Sequence, residues 1–245
     1  MAGQNEVAPR LYQNIADKIA KSIESGDFGV GARLPAEREL AEQYGVSRPT
    51  VREALVALEI AGMVEVRTGS GTYVCPKSRK NTSKKTKRVE DAGPSAFELI
   101  SARRMIEPSI AAHAASCATK KDIISISNAM TKFEENWHGT HWEKLEADRA
   151  FHMSIAEATH NAFMVKFLEE LWIGMFGPIF AVLSERSKLT SRQAMTMGDH
   201  YTIFNSIKRG DSNGAHAAMT THLVHVELTL LEQQSTVLAN PQPLL

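Results

Sequence analysis

The sequence predicts a mainly α-helical protein in two parts, and three observations lead to that prediction. Residues 1–75 contain three short segments with helical periodicity, followed by two short β-like runs around glycines. From residue 95 to residue 245, apolar residues repeat with the helical period and almost no strand-like alternation occurs. Between the two parts, residues 76–94 are basic and polar without apolar periodicity, which predicts a flexible linker.

Composition and charge exclude several classes of protein. The chain is 43% hydrophobic and 23% charged, as folded globular proteins are, and its net charge is zero. The longest uncharged apolar run, Leu171–Leu183, contains glycines and a proline and is too short to cross a bilayer, so we expect a buried, broken helix. Cys75 and Cys117 cannot build a disulfide framework. We therefore expect a cytoplasmic protein with no membrane attachment.

The first part reads as three helices with recognisable ends. An apolar stripe predicts a first helix from about Leu11 to Ser25. A second helix starts after Pro35 and stops at Tyr44, where Gly45 suits the left-handed conformation of a helix C-cap. Ser47 is a typical N-cap for a third helix. A tight glycine turn between two helices is the form of a helix-turn-helix.

Arginines and a hairpin suggest what this part binds. Arg48 and Arg52 lie near the start of the third helix, which we expect to be exposed, and the arginine fork suits guanine or phosphate. After that helix, residues 64–67 and 72–74 read as a hairpin around a glycine-containing turn, which would be a wing. The sequence thus favours DNA binding, although a small helical subdomain with merely solvated arginines fits the same pattern.

Polar residues on apolar helix faces form a second candidate site. Asp148 and His152 lie four residues apart, on one face of a predicted helix, while His200 and His222 lie on apolar stripes of two others. Buried carboxylates and imidazoles need partners, and one divalent metal would satisfy all four. The alternative is a set of hydrogen-bonded core histidines. His225 is the main rival as a ligand.

Three segments of the first part, 33–41, 46–55 and 69–74, closely resemble the GntR family of regulators. The family binds DNA through a winged helix-turn-helix, which the resemblance therefore implies here. One departure is Ala36, where many members have a serine that caps the second helix. Carried over position by position, the implied DNA contacts are Arg38, Arg48, Thr50, Arg52 and Gly69.

The second part resembles the helical effector domain of the FadR-type branch of that family. The matching motifs include 103–107, 148–152, 158–161 and 199–200, together with His222. The resemblance implies a divalent metal, zinc first with nickel or manganese as substitutes. The implied metal ligands are Asp148, His152, His200 and His222.

Four short segments, 91–94, 97–100, 155–161 and 198–200, are similar to those of hexuronate- and aldonate-responsive regulators, which implies a small carboxylate effector. Its carboxylate would bind the metal and Arg103, and its hydroxyls would reach Asn161 or neighbouring groups. The alternative for Arg103 is an ion pair with Glu107, four residues further on.

These inferences predict a winged helix-turn-helix domain at 1–75, a basic linker at 76–94, and an antiparallel, all-helical effector-binding and dimerisation domain at 95–245. The function predicted is that of a homodimeric repressor, which binds palindromic double-stranded operator DNA and responds to a hexuronate or aldonate. The alternatives are an acyl- or other carboxylate-responsive regulator and a metal-dependent hydrolase fused to a DNA-binding module. We expect no enzyme, because no general base is convincingly placed.

Overall fold

The computed structural model describes residues 10–67, 69–76, 92–189 and 192–231. Those residues form ten α-helices and one two-stranded antiparallel sheet, which confirms the predicted mainly helical fold. They divide into two compact units. The first contains the chain up to Ser95 together with Gly177–Ile179, and the second contains the other described residues from Ala96 onward.

The first unit has the three predicted helices and the predicted hairpin. Strand β1 pairs with strand β2 in antiparallel register, with Val64 opposite Val74. The elements are α1 (Leu11–Ser25), α2 (Glu37–Tyr44), α3 (Arg48–Ile60), β1 (Val64–Arg67) and β2 (Gly71–Val74). Helices α1 and α3 pack on each other and supply most of the core, including Tyr12, Ile15, Ile19, Val51, Leu55 and Leu58.

Local hydrogen bonds set the ends of α2 and α3. Ala36 offers no capping oxygen, but its backbone N–H donates to the Glu39 carboxylate at 2.9 Å, so half of a capping box remains. Gly45 ends α2 with a φ of 64°, which other residues rarely adopt. The Ser47 hydroxyl then accepts a hydrogen bond from the Thr50 backbone N–H at 3.3 Å. The turn between the two helices is therefore the one that the sequence predicts.

The end of the predicted linker is held in place. Of residues 76–94, residues 77–91 lie outside the described part of the chain. Ala92 is only 4% exposed, and the Gly93 carbonyl accepts a hydrogen bond of 2.6 Å from the Tyr12 hydroxyl. The expectation of a flexible linker is thus wrong for its last residues, because a buried tyrosine on α1 fixes the backbone there.

The second unit consists of seven helices, apart from the first two residues of the fifth of them, and most are connected by short turns. Helix α10 packs along α4 and α9, and α5 packs against α6. A short 3-10 turn, Asn136–His138, connects α5 to α6. The helices are α4 (Ala96–Cys117), α5 (Lys120–Glu135), α6 (His141–Glu157), α7 (Ala162–Met175), α8 (Pro178–Arg186), α9 (Gln193–Lys208) and α10 (Ser212–Leu231).

The long apolar run is broken between α7 and α8, as its glycine and proline predict. Within the described residues no single helix is long and apolar enough to span a membrane, and α7 with α8 meets that test only as a pair bent by 69°. The run is less buried than the sequence predicts, because Ile173 on α7 is 59% exposed.

Candidate nucleic-acid interface and metal centre

Four of the five predicted DNA contacts lie on α2, at the start of α3 and in the wing turn. Arg48 is exposed at the first position of α3, and the Arg38 side chain on α2 is 74% exposed. The Thr50 hydroxyl is half-buried and lies 2.8 Å from the Ser47 hydroxyl, in the cap of α3. Gly69 has a φ of 74° in the exposed wing turn, so a side chain there would be strained.

Arg52 does not belong to this exposed set. It is only 7% exposed, and its Nε and Nη2 donate to the two carboxylate oxygens of Glu37 at 3.2 and 3.1 Å. The expectation that Arg52 is exposed is therefore wrong. It lies one helical turn after Arg48, on the side of α3 that meets α2, and its fork joins the two helices of the helix-turn-helix.

The four predicted metal ligands come together in the second unit. Asp148 and His152 lie on α6, His200 on α9 and His222 on α10, and one ligand atom from each lies within 4.8 Å of the others. Asp148 Oδ1 is 3.2 Å from His200 Nε2 and 3.8 Å from His152 Nε2. These three atoms and His222 Nε2 are buried without a hydrogen-bond partner. Four converging, unsatisfied donor atoms are what a divalent ion requires.

Burial sets the charge states of the cluster. Desolvation lowers the pKa of His152, His200 and His222, so these imidazoles are neutral near pH 7. Burial would raise the pKa of Asp148, but the neighbouring imidazoles outweigh it and hold that pKa well below its usual range. One carboxylate and three neutral imidazoles are the forms in which these side chains bind a metal.

Two carboxylates orient the ligands through contacts that the sequence did not predict. Glu107 on α4 hydrogen-bonds with the Nδ1 of His152, which leaves His152 Nε2 free for the cluster. Asp199 accepts a 2.8 Å contact from His225 Nδ1 and lies 3.5 Å from His222 Nδ1. His225, the rival ligand, therefore supports Asp199 and lies outside the cluster.

Arg103 lies beside this cluster and is fully buried on α4. Its Nε donates to Glu107, which confirms the ion pair that the spacing suggested. Its guanidinium carbon lies 4.2 Å from the Trp172 ring centroid. Burial would raise the pKa of Glu107, but Arg103 and His152 lower it to about 2. The Nη2 of Arg103 has no hydrogen-bond partner among the described residues, so one strong donor remains.

A cavity opens next to the ligands and Arg103, with an empty volume of about 440 Å³ that includes some open solvent. Asp148 and His222 form part of its wall. Lys144 and Thr196, which were not among the predicted site residues, also line it. Lys144 precedes Asp148 by four residues, and this spacing places both side chains on one face of α6. The sequence could therefore have indicated Lys144 as a neighbour of the site. The remaining wall residues are Phe133, Leu145, Met175, Leu189 and Val226.

Asn161, the other predicted effector contact, lies elsewhere. It is the exposed N-cap of α7, where its side-chain oxygen accepts hydrogen bonds from the N–H groups of Phe163 at 3.0 Å and Met164 at 3.4 Å. It is not among the cavity residues. Asn161 therefore lies outside the predicted effector site, and its side-chain oxygen caps the start of α7.

Two domain descriptions match the sequence. Residues 11–74 match the bacterial regulatory proteins of the gntR family, and residues 98–225 match the FCD domain. The chain is 38% identical to the Uxu operon transcriptional regulator of Escherichia coli K12, over 92% of this chain and 88% of that protein. It is 34% identical to the Exu regulon transcriptional regulator of the same strain, over 92% and 86%. The solved structure of E. coli McbR/YncC shares the fold, with 20% identity and a TM-score of 0.50 over 92% and 99% of the two chains.

Proposed function

The chain belongs to the gntR family of bacterial regulatory proteins and carries an FCD domain, and from that premise we propose a metal-assisted, carboxylate-responsive repressor. As a member of this family the protein is a DNA-binding transcriptional regulator. The proposal adds the sign of regulation, the metal and the effector class. It rests above all on the four unsatisfied ligand atoms that converge beside the cavity.

The ligand set fits a divalent metal. Three imidazoles and one carboxylate suit zinc, and nickel and manganese are possible substitutes. Asp148, His152, His200 and His222 would hold the ion, and Glu107 and Asp199 would keep two of the rings in place. The bound ion would supply a positive charge beside the cavity that Asp148 and His222 line, and an anionic group of the effector would bind near it.

The cavity chemistry favours a sugar acid. The Nη2 donor of Arg103 is buried and unpaired, which suits a carboxylate because charge-assisted hydrogen bonds are the strong ones. Lys144 and Thr196 offer polar groups to hydroxyls, and the other wall residues are mostly apolar. A hexuronate or aldonate carries one carboxylate and several hydroxyls. This pattern, with the resemblance to sugar-acid regulators, supports the effector class.

The regulator would act as a homodimer on a palindromic operator, because a two-fold operator requires two recognition helices about one DNA turn apart. The effector would stabilise an arrangement of the dimer that does not fit that spacing. Linkage makes the effect reciprocal. An effector that weakens operator binding about tenfold must itself bind the operator complex about tenfold more weakly.

We predict that Arg48→Ala weakens operator binding by about 1–3 kcal/mol, because it removes one exposed arginine fork from the start of α3. An operator selected from a random duplex library, titrated by fluorescence anisotropy, measures the change. Lys21→Ala on α1 is the control, since it removes one exposed positive charge from another helix. Unchanged affinity in Arg48→Ala would contradict the proposed role of α3.

We predict that Arg103→Lys weakens the binding of D-glucuronate or D-gluconate about tenfold or more. Lysine keeps a positive charge near Glu107. Its ammonium group, however, cannot present two parallel N–H donors to a carboxylate as a guanidinium does. Calorimetry on zinc-loaded protein measures the affinity, and Arg104→Lys, on an exposed neighbour, is the control. If sugar acids do not bind the wild type while a fatty-acyl thioester does, the effector class is wrong and the regulator remains.

A further inference from the structure

The segment before α2 adds a short extended piece of chain to the wing, and it carries an arginine. The backbone N–H of Leu34 donates to the carbonyl of Thr72 on β2 at 2.9 Å, and Arg33 pairs with Tyr73 across the same edge. Side chains alternate between the two faces of a sheet. Thr72 is buried and Arg33 is exposed, so Arg33 lies on the outer face of the wing.

The side chain of Arg33 runs along this face toward the wing turn. Its backbone pairs with Tyr73, but its guanidinium lies over Gly71, where an added Cβ would be 2.6 Å from Arg33 Nε and 3.2 Å from Nη2. Two strand residues span about 7 Å, so the guanidinium lies nearer to the turn than its own backbone does. The missing side chain at Gly71 therefore leaves the space that the guanidinium occupies.

The positive charge of Arg33 is not compensated within the described part of the chain. Arg33 forms no ion pair with another described residue. Arg67, on the same face, differs in this respect, because its Nη2 lies 2.9 Å from the Glu65 carboxylate and its guanidinium carbon lies 4.6 Å from the Tyr73 ring centroid. Of these two wing arginines, only Arg33 has its guanidinium available for another anion.

The neighbouring turn suggests which anion Arg33 meets. Gly69, one of the predicted DNA contacts, lies two residues before Gly71 in the exposed wing turn. A turn that approaches a duplex lies close to the phosphates that border the groove, and a guanidinium can hold a phosphate through two parallel hydrogen bonds. A fixed, exposed and unpaired guanidinium beside that turn fits a phosphate of the DNA backbone.

We propose that Arg33 binds a backbone phosphate of the operator next to the wing, and that Gly71 holds the guanidinium in position for this contact. The proposal rests on DNA binding by the first unit and adds a contact to the five that the sequence predicts. A phosphate carries no sequence information, so Arg33 contributes affinity and orientation to every duplex alike.

The salt dependence of DNA binding by the full-length protein tests the proposal, with the selected operator and fluorescence anisotropy as the measurement. Between about 50 and 200 mM KCl, each phosphate contact adds about 3.5-fold to the loss of affinity, since it contributes about 0.9 to the logarithmic salt slope. Arg33→Gln should lack this part of the loss for each copy of Arg33 on the operator. Arg33→Lys keeps the charge and should retain the wild-type slope, as should the control Lys21→Gln on α1.

Two comparisons distinguish a phosphate contact from other roles of Arg33. Arg33→Gln should weaken binding to the operator and to a scrambled duplex by the same factor, and its thermal unfolding should match that of the wild type because Arg33 is exposed. A loss confined to the operator would show that Arg33 reads a base and would overturn the proposal. An unchanged salt slope in Arg33→Gln, or an equal change in Lys21→Gln, would also overturn it.

A scan of the operator with methylphosphonates, which neutralise one phosphate at a time, locates the contact. In the wild type, neutralising the phosphate beside the wing should weaken binding, and in Arg33→Gln the same substitution should have no effect. If every phosphate that matters to the wild type matters equally to Arg33→Gln, Arg33 binds none of them. A wild type that binds no duplex would instead contradict DNA binding by the first unit.

Discussion

His222→Ala should lose almost all of its divalent metal, while the wild type retains about one ion per chain after dialysis. The variant removes one of four ligand atoms, and the Nε2 of His222 has no hydrogen-bond partner in the described structure. Loss of residues that only orient metal ligands typically costs 10–100-fold in affinity, so loss of a ligand should cost more than about 100-fold. Elemental analysis of the purified proteins measures this effect.

His216→Ala provides the matched control. His216 lies on the same helix, α10, but it is exposed and outside the cluster. It should bind as much metal as the wild type. A metal-free wild type that gains no thermal stability from added zinc, nickel or manganese would contradict the metal site. The four residues would then be core polar groups.

Arg52→Ala should destabilise the first unit by about 3–5 kcal/mol, because it removes the buried guanidinium that pairs with the Glu37 carboxylate. The side chains of this pair are only 8% and 10% exposed, so solvent screens the interaction little. Small domains are marginally stable, and this loss should unfold much of the unit near physiological temperature. Thermal and urea unfolding followed by circular dichroism would measure the loss.

Arg48→Ala separates the two arginines. It should leave the unfolding curve unchanged, because Arg48 is exposed at the first position of α3. If Arg52→Ala unfolds like the wild type and only its DNA affinity falls, then Arg52 contacts DNA and the Glu37 pair contributes little. The two variants thus distinguish a residue that holds the helices together from a residue available to DNA.

One carboxylate connects the two halves of the proposed effector site. Glu107 binds Arg103 through one oxygen and His152 through the other. The cation proposed to hold the effector and a ligand of the proposed metal are therefore neighbours in one buried network. A change in the position of Arg103 on effector binding would be felt at His152, because a buried carboxylate has little freedom to lose either partner.

The sequence alone determined the elements whose causes are local. Gly45 and Ser47 set the turn between α2 and α3, because a left-handed residue and a capping hydroxyl act on their own helix ends. The spacing of Asp148 and His152 placed both on one face of α6, and apolar stripes turned His200 and His222 inward. Periodicity shows which face of a helix is buried, and these residues lie on such faces.

The tertiary structure decided what each buried face meets. Arg48 and Arg52 are one turn apart with the same side chain, yet only packing against α2 made Arg52 a structural ion-pair partner of Glu37. Contact between α4 and α6 allows Glu107, which already pairs with Arg103, to hydrogen-bond with His152 as well. The cavity contact of Lys144 likewise depends on helices distant in sequence. Periodicity describes one helix at a time, whereas partners across an interface depend on how two helices cross.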